Sequence, residues 1–292
     1  MKPTESIARK SSSSRVRDIA ELFKLRLAAL VVFSSVLGYL MAAKEPDWLQ
    51  ILALCLGGFL LTGGSNGFNQ VWEREVDAKM ERTKDRPIPT GRMTVAQGIV
   101  YSTIAGAIGL GFLFYFLNTL AGVLGGLALL SYVFLYTPMK RASSLAVFIG
   151  AFPGAIPPML GYIAASGEFG VEPGLLFAVQ FIWQFPHFWA IAWKANGDYS
   201  KAGFKLLPSS QGKGKVSAMY ILLYTVSLIP ISLTPIVFTE MDWIRMVTVS
   251  IAGLAFLWFA IDLYRKRSDE AALKLMFASF VYLPVIQLLY LI

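Results

Sequence analysis

The chain has one cysteine, one histidine and few charges: only 15% of its 292 residues are Asp, Glu, Lys or Arg. The lone thiol, Cys55, excludes an intrachain disulfide and a cysteine cluster for zinc, and inside an apolar run it gives no redox address. Little charge beside 56% hydrophobic content excludes an ordinary soluble domain of this length. No apolar core directly follows a short basic start, and no clear small-residue cleavage site is seen, so the start does not read as a signal peptide. The net charge of +8 does not call for nucleic acid. In a membrane protein, cationic loops facing the cytoplasm account for it.

What is present are long apolar runs, several of which reach the roughly 20 residues that cross a bilayer. Nine spans are expected, near 20–43, 48–70, 94–116, 119–136, 145–165, 173–193, 216–238, 243–264 and 271–291. Pro284 lies in the last, where a helix in a bundle tolerates it. Of the 26 Lys and Arg residues, all but Lys44 and Arg245 fall on the side of the N-terminal tail and of the loops after even-numbered spans. One span too many or too few would scramble that split, which sets the N-terminus in the cytoplasm. The expected fold class is an all-α polytopic membrane protein. Residues 1–17, with Ser11 to Ser14 and flanking cations, are expected to form a flexible cytoplasmic tail. Residues 18–292 are expected to form one membrane-embedded domain. The two long loops on the cytoplasmic side, about 71–93 and 194–215, hold carboxylates and cations together, as functional loops often do.

The first of these loops opens on Asn69, Glu73 and Asp77, spaced i, i+4, i+8, which a helix places in one row on one face. Glu75 is out of step with that row. Two carboxylates and an amide suit Mg²⁺, a hard ion often held by one or two carboxylates plus substrate phosphates, and the cations just downstream suit phosphate. A helix end surfacing into water, with Arg74 and Lys79 pairing the acids, would look similar. Against this, the polar run Thr62 to Gly67 precedes the row inside a span, where polar groups default to function. In the second loop Asn196-Gly197 breaks the helix, and Asp198 sits with Lys194, Tyr199, Lys201 and Lys205, where it could complete a second metal position. His187, late in span six with Gln184 on the preceding turn, is either a metal ligand or a histidine hydrogen-bonded to a neighbouring helix. Tyr136 to Arg141 is either a topology signal or a lip over the same cavity. Pro153-Gly154 and Pro157-Pro158 in span five mark a packing kink or a pocket.

Together these segments resemble the UbiA-type intramembrane prenyltransferases. The row is similar to their Asn-x-x-x-Asp-x-x-x-Asp motif, with Glu73 in place of the middle aspartate. Asp77 to Arg92, Tyr136 to Arg141, Gly150 to Gly161, Trp183 to Phe188 and Asp198 to Pro208 together point to the haem-modifying branch. The second motif departs from the superfamily, since Ala202 stands four residues after Asp198 and one carboxylate remains. The resemblance implies nine helices around a central cavity. It implies transfer of a farnesyl group from farnesyl diphosphate to a vinyl carbon of haem B, with addition of water, giving haem O and diphosphate.

It also implies Mg²⁺ as cofactor, on Asn69, Glu73, Asp77 and Asp198, and a diphosphate held by Arg82, Lys84, Arg86, Lys140, Arg141, Lys201 and Lys205. His187 and Gln184 would meet the haem, through iron or a propionate. Phe68, Trp72, Tyr136 and Trp183 are candidates to face an allylic cation. Haem A synthase or terminal oxidase assembly would be partners, and the bacterial plasma membrane the location rather than the mitochondrial inner membrane. The alternatives are prenylation of a quinone precursor, with no use for a haem ligand, and a secondary transporter. The gathering of acids at one membrane face disfavours the transporter.

Overall fold

The computed structural model describes residues 12–238 and 242–291. Residues 1–11, most of the expected tail, lie outside them. The described residues form helices and connecting turns with no strand among them, and nine of the helical stretches are long and apolar enough to cross a membrane. The chain is an integral membrane protein.

The first expected span is in fact two helices. α1 (Ser12–Phe23) takes in the end of the expected tail and stops at Lys24, whose backbone is left-handed (φ 51°), and α2 (Leu25–Ala42) starts again from there. Left-handed backbone is strained for a side chain without special support, and here the support comes from α3 (Trp48–Asp77). Gln70 donates to the carbonyls of Glu21 and Leu22 (3.0 and 2.8 Å), and Asn66 to that of Phe23 (3.2 Å). These carbonyls end α1 and have no partner within it. Arg92, from the loop after α3, pairs with Asp18 and Glu21 of α1 at 2.8 and 2.6 Å.

α3 begins on the Asp47 side chain, which accepts from the Leu49 and Gln50 N–H groups. It runs for 30 residues, about 45 Å at 1.5 Å per residue, against an apolar core of about 30 Å. It is thus about 15 Å longer than a perpendicular crossing needs. The loop after it ends at Thr94, which opens α4 (Val95–Phe112) with a capping box to Gln97. α4 continues through a wide i→i+5 turn to Leu117. α5 (Thr119–Leu130) passes through a second such turn, Ser131–Tyr136, into α6 (Thr137–Ala142). This fourth span thus runs six residues past its expected end, and Lys140 and Arg141 lie on a helix.

α7 (Ala146–Ser166) carries Pro153, Pro157 and Pro158 without interruption. Its small residues serve close packing: a Cβ on Gly38 would strike the Pro158 carbonyl, and one on Gly161 the Ser35 carbonyl. That supports the packing alternative for this segment. α8 (Val171–Lys194) leads into the short α9 (Asn196–Lys201), followed by α10 (Lys215–Phe238), α11 (Trp243–Lys266) and α12 (Asp269–Leu289). α2 packs on α3 and α7, α7 on α8, and α8 on α10 and α12. Gln287 of α12 closes the round by donating to Ser34 of α2 (2.7 Å) and to Gln180 of α8 (3.2 Å).

Candidate active site

The row on α3 is buried: Asn69 is 1% exposed, Glu73 7% and Asp77 0%. Burying two carboxylates costs free energy unless each is paired, and cations from elsewhere in the chain pair them. Arg86 reaches back from the following loop to place Nη1 2.6 Å from Asp77 Oδ2. Lys140 of α6 sets Nζ 2.8 Å from Glu73 Oε1. Asn69 donates to Thr137 Oγ1 (3.2 Å) and accepts from Lys24 Nζ (3.4 Å). Thr137 in turn donates to the Tyr132 carbonyl five residues back (2.8 Å), a bond that the wide turn makes possible. Glu75 points away, pairs with Arg74 and is exposed.

Lys24 is a site residue that sequence reasoning counted only among the tail's charges. The left-handed break and its α3 caps aim its half-buried side chain at the row. Burial, with Arg86 and Lys140 close by, pushes its ammonium down to about 7, while Glu73 and Asp77 oppose the shift. Three cations, Lys24, Arg86 and Lys140, therefore converge on one amide and two carboxylates.

The second loop joins through Asp198. Its Oδ2 accepts from the Arg82 backbone N–H (3.3 Å), Lys201 lies 3.5 Å from Oδ1, and Arg82 donates to the Tyr199 hydroxyl (3.1 Å). Partial desolvation works against the Asp198 carboxylate, yet the N–H groups of Arg82 and Glu81 and the Lys201 ammonium hold it below the usual range. Asp198 makes no hydrogen bond to Asn69, Glu73 or Asp77 among the described residues. It binds the loop that follows the row rather than the row itself.

The remaining expected diphosphate residues divide by exposure. Lys84 pairs with Glu81 in solvent, and the Lys205 side chain is exposed. Arg141 borders a cavity of about 620 Å³ that is also lined by Trp72, Glu73, Thr137 and Phe204. The Tyr136 ring already has the Lys140 ammonium over it, 4.6 Å from its centroid.

His187 and Gln184 part company. Gln184 turns to α7, donating to the Ala151 carbonyl (3.0 Å) in space left by Gly154, where a Cβ would strike its amide. His187 turns to α12, with Nδ1 2.7 Å from Ser279 Oγ. Trp183 stacks on the imidazole at 4.5 Å and donates Nε1–H to the Ser279 carbonyl (3.0 Å).

Among the described residues no three His, Cys, Asp or Glu side chains gather as a metal cluster. The row offers an amide and two carboxylates. Asp77 Oδ1, fully buried, has no hydrogen-bond partner. An orphaned carboxylate oxygen beside a second carboxylate and an amide oxygen is a donor set that suits a hard divalent cation completed by phosphate oxygens.

The UbiA prenyltransferase family model matches residues 31–282. Two relatives, each called protoheme IX farnesyltransferase, are 45% identical to the chain. The one from Christiangramia forsetii aligns over 96% of this chain and 94% of its own length, and the one from Cytophaga hutchinsonii over 94% and 97%. Among solved structures, one described as digeranylgeranylglyceryl phosphate synthase in membranes has a TM-score of 0.78 at 18% identity, covering 95% of this chain and 98% of its own. A UbiA homologue from Archaeoglobus fulgidus bound to GPP and Mg²⁺ has a TM-score of 0.67 at 13% identity, covering 94% and 100%. The chain belongs to the UbiA prenyltransferase family.

Proposed function

We propose that this chain transfers the farnesyl group of farnesyl diphosphate to a vinyl group of haem B, with addition of water, giving haem O and diphosphate. Membership of the family and 45% identity to relatives named for this reaction support it. The observation that carries the site is the buried row whose carboxylates pair with Arg86 and Lys140 and whose amide accepts from Lys24, with one Asp77 oxygen left open. The row lies at the cytoplasmic face, and the bacterial inner membrane is the location. Residues 18–292 act as one domain, and haem A synthase or terminal oxidase assembly receives the product.

Asn69, Glu73 and Asp77 would hold Mg²⁺, which supplies charge neutralisation for the departing diphosphate. Arg86, Lys140 and Lys24 exchange their carboxylate and amide partners for phosphate oxygens as substrate enters. The positive charge of Arg86 and Lys140 is fixed in place before ionisation, so little reorganisation is needed when negative charge develops on the leaving group. Arg82, Lys84, Arg141, Lys201 and Lys205 form the outer rim that draws the diphosphate in. Asp198 acts by holding the Arg82 loop over the site. Apolar bundle walls keep stray water from the allylic cation.

Purified protein given farnesyl diphosphate, haem B and Mg²⁺ is expected to yield a farnesylated hydroxyethyl haem, identified by chromatography and mass spectrometry. Unchanged haem B beside a prenylated quinone precursor would contradict the assignment.

A further inference from the structure

Arg245 is one of two cations on the membrane face that the charge asymmetry otherwise clears of them, the other being Lys44. Successive spans run in opposite directions, so the starts of α8 and α11, with Glu172 and Arg245, lie at the face opposite the α3 row. The two side chains line one cavity of about 260 Å³, together with Tyr162, Met41, Leu176 and Ile236. Their charges are not used up within the fold. Arg245 donates Nε–H to Asp242 Oδ2 (3.0 Å), and its two Nη groups make no hydrogen bond among the described residues. Glu172 is partly buried, yet among the described residues its carboxylate makes neither an ion pair nor a hydrogen bond, and a partly desolvated charge without a partner is costly. The cavity thus offers a carboxylate acceptor, guanidinium donors and a phenol hydroxyl over apolar walls. A purely anionic ligand would meet Glu172, and a purely cationic one Arg245. The match is a ligand that carries an ammonium and a phosphate on one short chain. The volume is below the roughly 300–1,000 Å³ of sites for drug-sized ligands, which suits a headgroup and is too small for a porphyrin.

We propose that this cavity binds the headgroup of phosphatidylethanolamine, with the ammonium on Glu172 and the phosphate on Arg245 and Tyr162. A lipid is the occupant because Glu172 and Arg245 stand in the first turns of membrane-spanning helices, at the depth where headgroups lie. α8 and α11 are not principal neighbours, since each packs on α10 and α12. A headgroup that bridges Glu172 and Arg245 therefore ties together two helices held to each other chiefly through those two. Binding to the folded protein alone also raises its stability by mass action. The proposal is independent of which acceptor is prenylated.

The test uses delipidated full-length protein in detergent, titrated with phosphatidylethanolamine, phosphatidylcholine and phosphatidylglycerol of the same acyl chains and followed by native mass spectrometry. The choline headgroup has no N–H to give Glu172, and the glycerol headgroup has no cation. The wild type should therefore prefer the ethanolamine lipid by about tenfold, the value of one charge-assisted hydrogen bond. Glu172→Gln should erase that preference over phosphatidylglycerol, and Arg245→Met should weaken both of these lipids. Melting of the lipid-free proteins reports an intact fold, and phosphatidylethanolamine should raise the melting temperature of the wild type more than that of Glu172→Gln. If Arg245→Met does not fold, the preference shown by Glu172→Gln decides alone. Equal binding of the three lipids by the wild type would overturn the proposal, and so would an unchanged preference in Glu172→Gln. Displacement of the lipid by an equal concentration of free O-phosphoethanolamine would also overturn it, by making the ligand a soluble one.

Discussion

Replacing Asp77 by Asn separates charge from shape at the centre of the site. The carboxylate has two unlike oxygens: Oδ2 takes the Arg86 guanidinium at 2.6 Å, and Oδ1 has no partner. An asparagine amide has one acceptor and one donor end. Arg86 can only donate, so the amide must turn its oxygen to Arg86 and its NH₂ into the position that Oδ1 now holds. The substitution keeps a hydrogen bond to Arg86 while placing a donor where a cation should sit. For stability the loss is one step from a charge-assisted to an ordinary hydrogen bond, about 1–2 kcal/mol. For turnover it removes a preorganised charge at the leaving group, worth about 2.7–4 kcal/mol or 10²–10³ in rate. The reciprocal change, Arg86→Met, should cost more in stability. It leaves a carboxylate that is 0% exposed without its counter-charge, at a cost of about 3–5 kcal/mol. Turnover of farnesyl diphosphate with haem B, beside intrinsic-fluorescence melting in detergent, reads both quantities. Asp77→Asn protein that melts near the wild type and turns over within threefold of it would refute the reasoning.

Other perturbations give distinct outcomes. Lys140→Met strands Glu73 and should lower the melting temperature and raise KM for farnesyl diphosphate together, as steady-state kinetics and melting curves would show. Gln70→Ala removes two of the caps on α1, at about 1–2 kcal/mol in all, and should raise that KM several-fold by releasing Lys24 while kcat changes less. Gly161→Ala drives a Cβ into the Ser35 carbonyl and should cost about 1–3 kcal/mol in thermal stability through overpacking of α2 on α7. EDTA should stop turnover and Mg²⁺ restore it, whereas binding of haem B alone, followed by its Soret band, should persist in the chelator.

The spans were legible because hydropathy and the alternation of cations constrain each other, and the row because 3.6 residues per turn aligns Asn69, Glu73 and Asp77 on any helix. The break at Lys24 was not. Nothing in Phe23-Lys24-Leu25 stops a helix locally, and the left-handed residue is held by Asn66 and Gln70 from more than forty positions away. The pairing of Glu73 with Lys140 and the bonding of Asp198 to the Arg82 backbone are likewise products of packing between segments. Gln184 and His187 look like partners at i and i+3, yet α7 claims one and α12 the other. Ser279, which the packing of α12 on α8 sets 2.7 Å from the only histidine, carries no sequence signal at all.

The central claim is that the α3 row holds a divalent ion against the diphosphate. Its most direct test is a structure with Mn²⁺ and a non-hydrolysable farnesyl thiodiphosphate, with the metal located by anomalous scattering. The account predicts a peak on Asp77 Oδ1 shared with Glu73 or Asn69, and Arg86 or Lys140 moved onto phosphate oxygens. A peak away from α3, with both ion pairs intact and the diphosphate bound elsewhere, would contradict it.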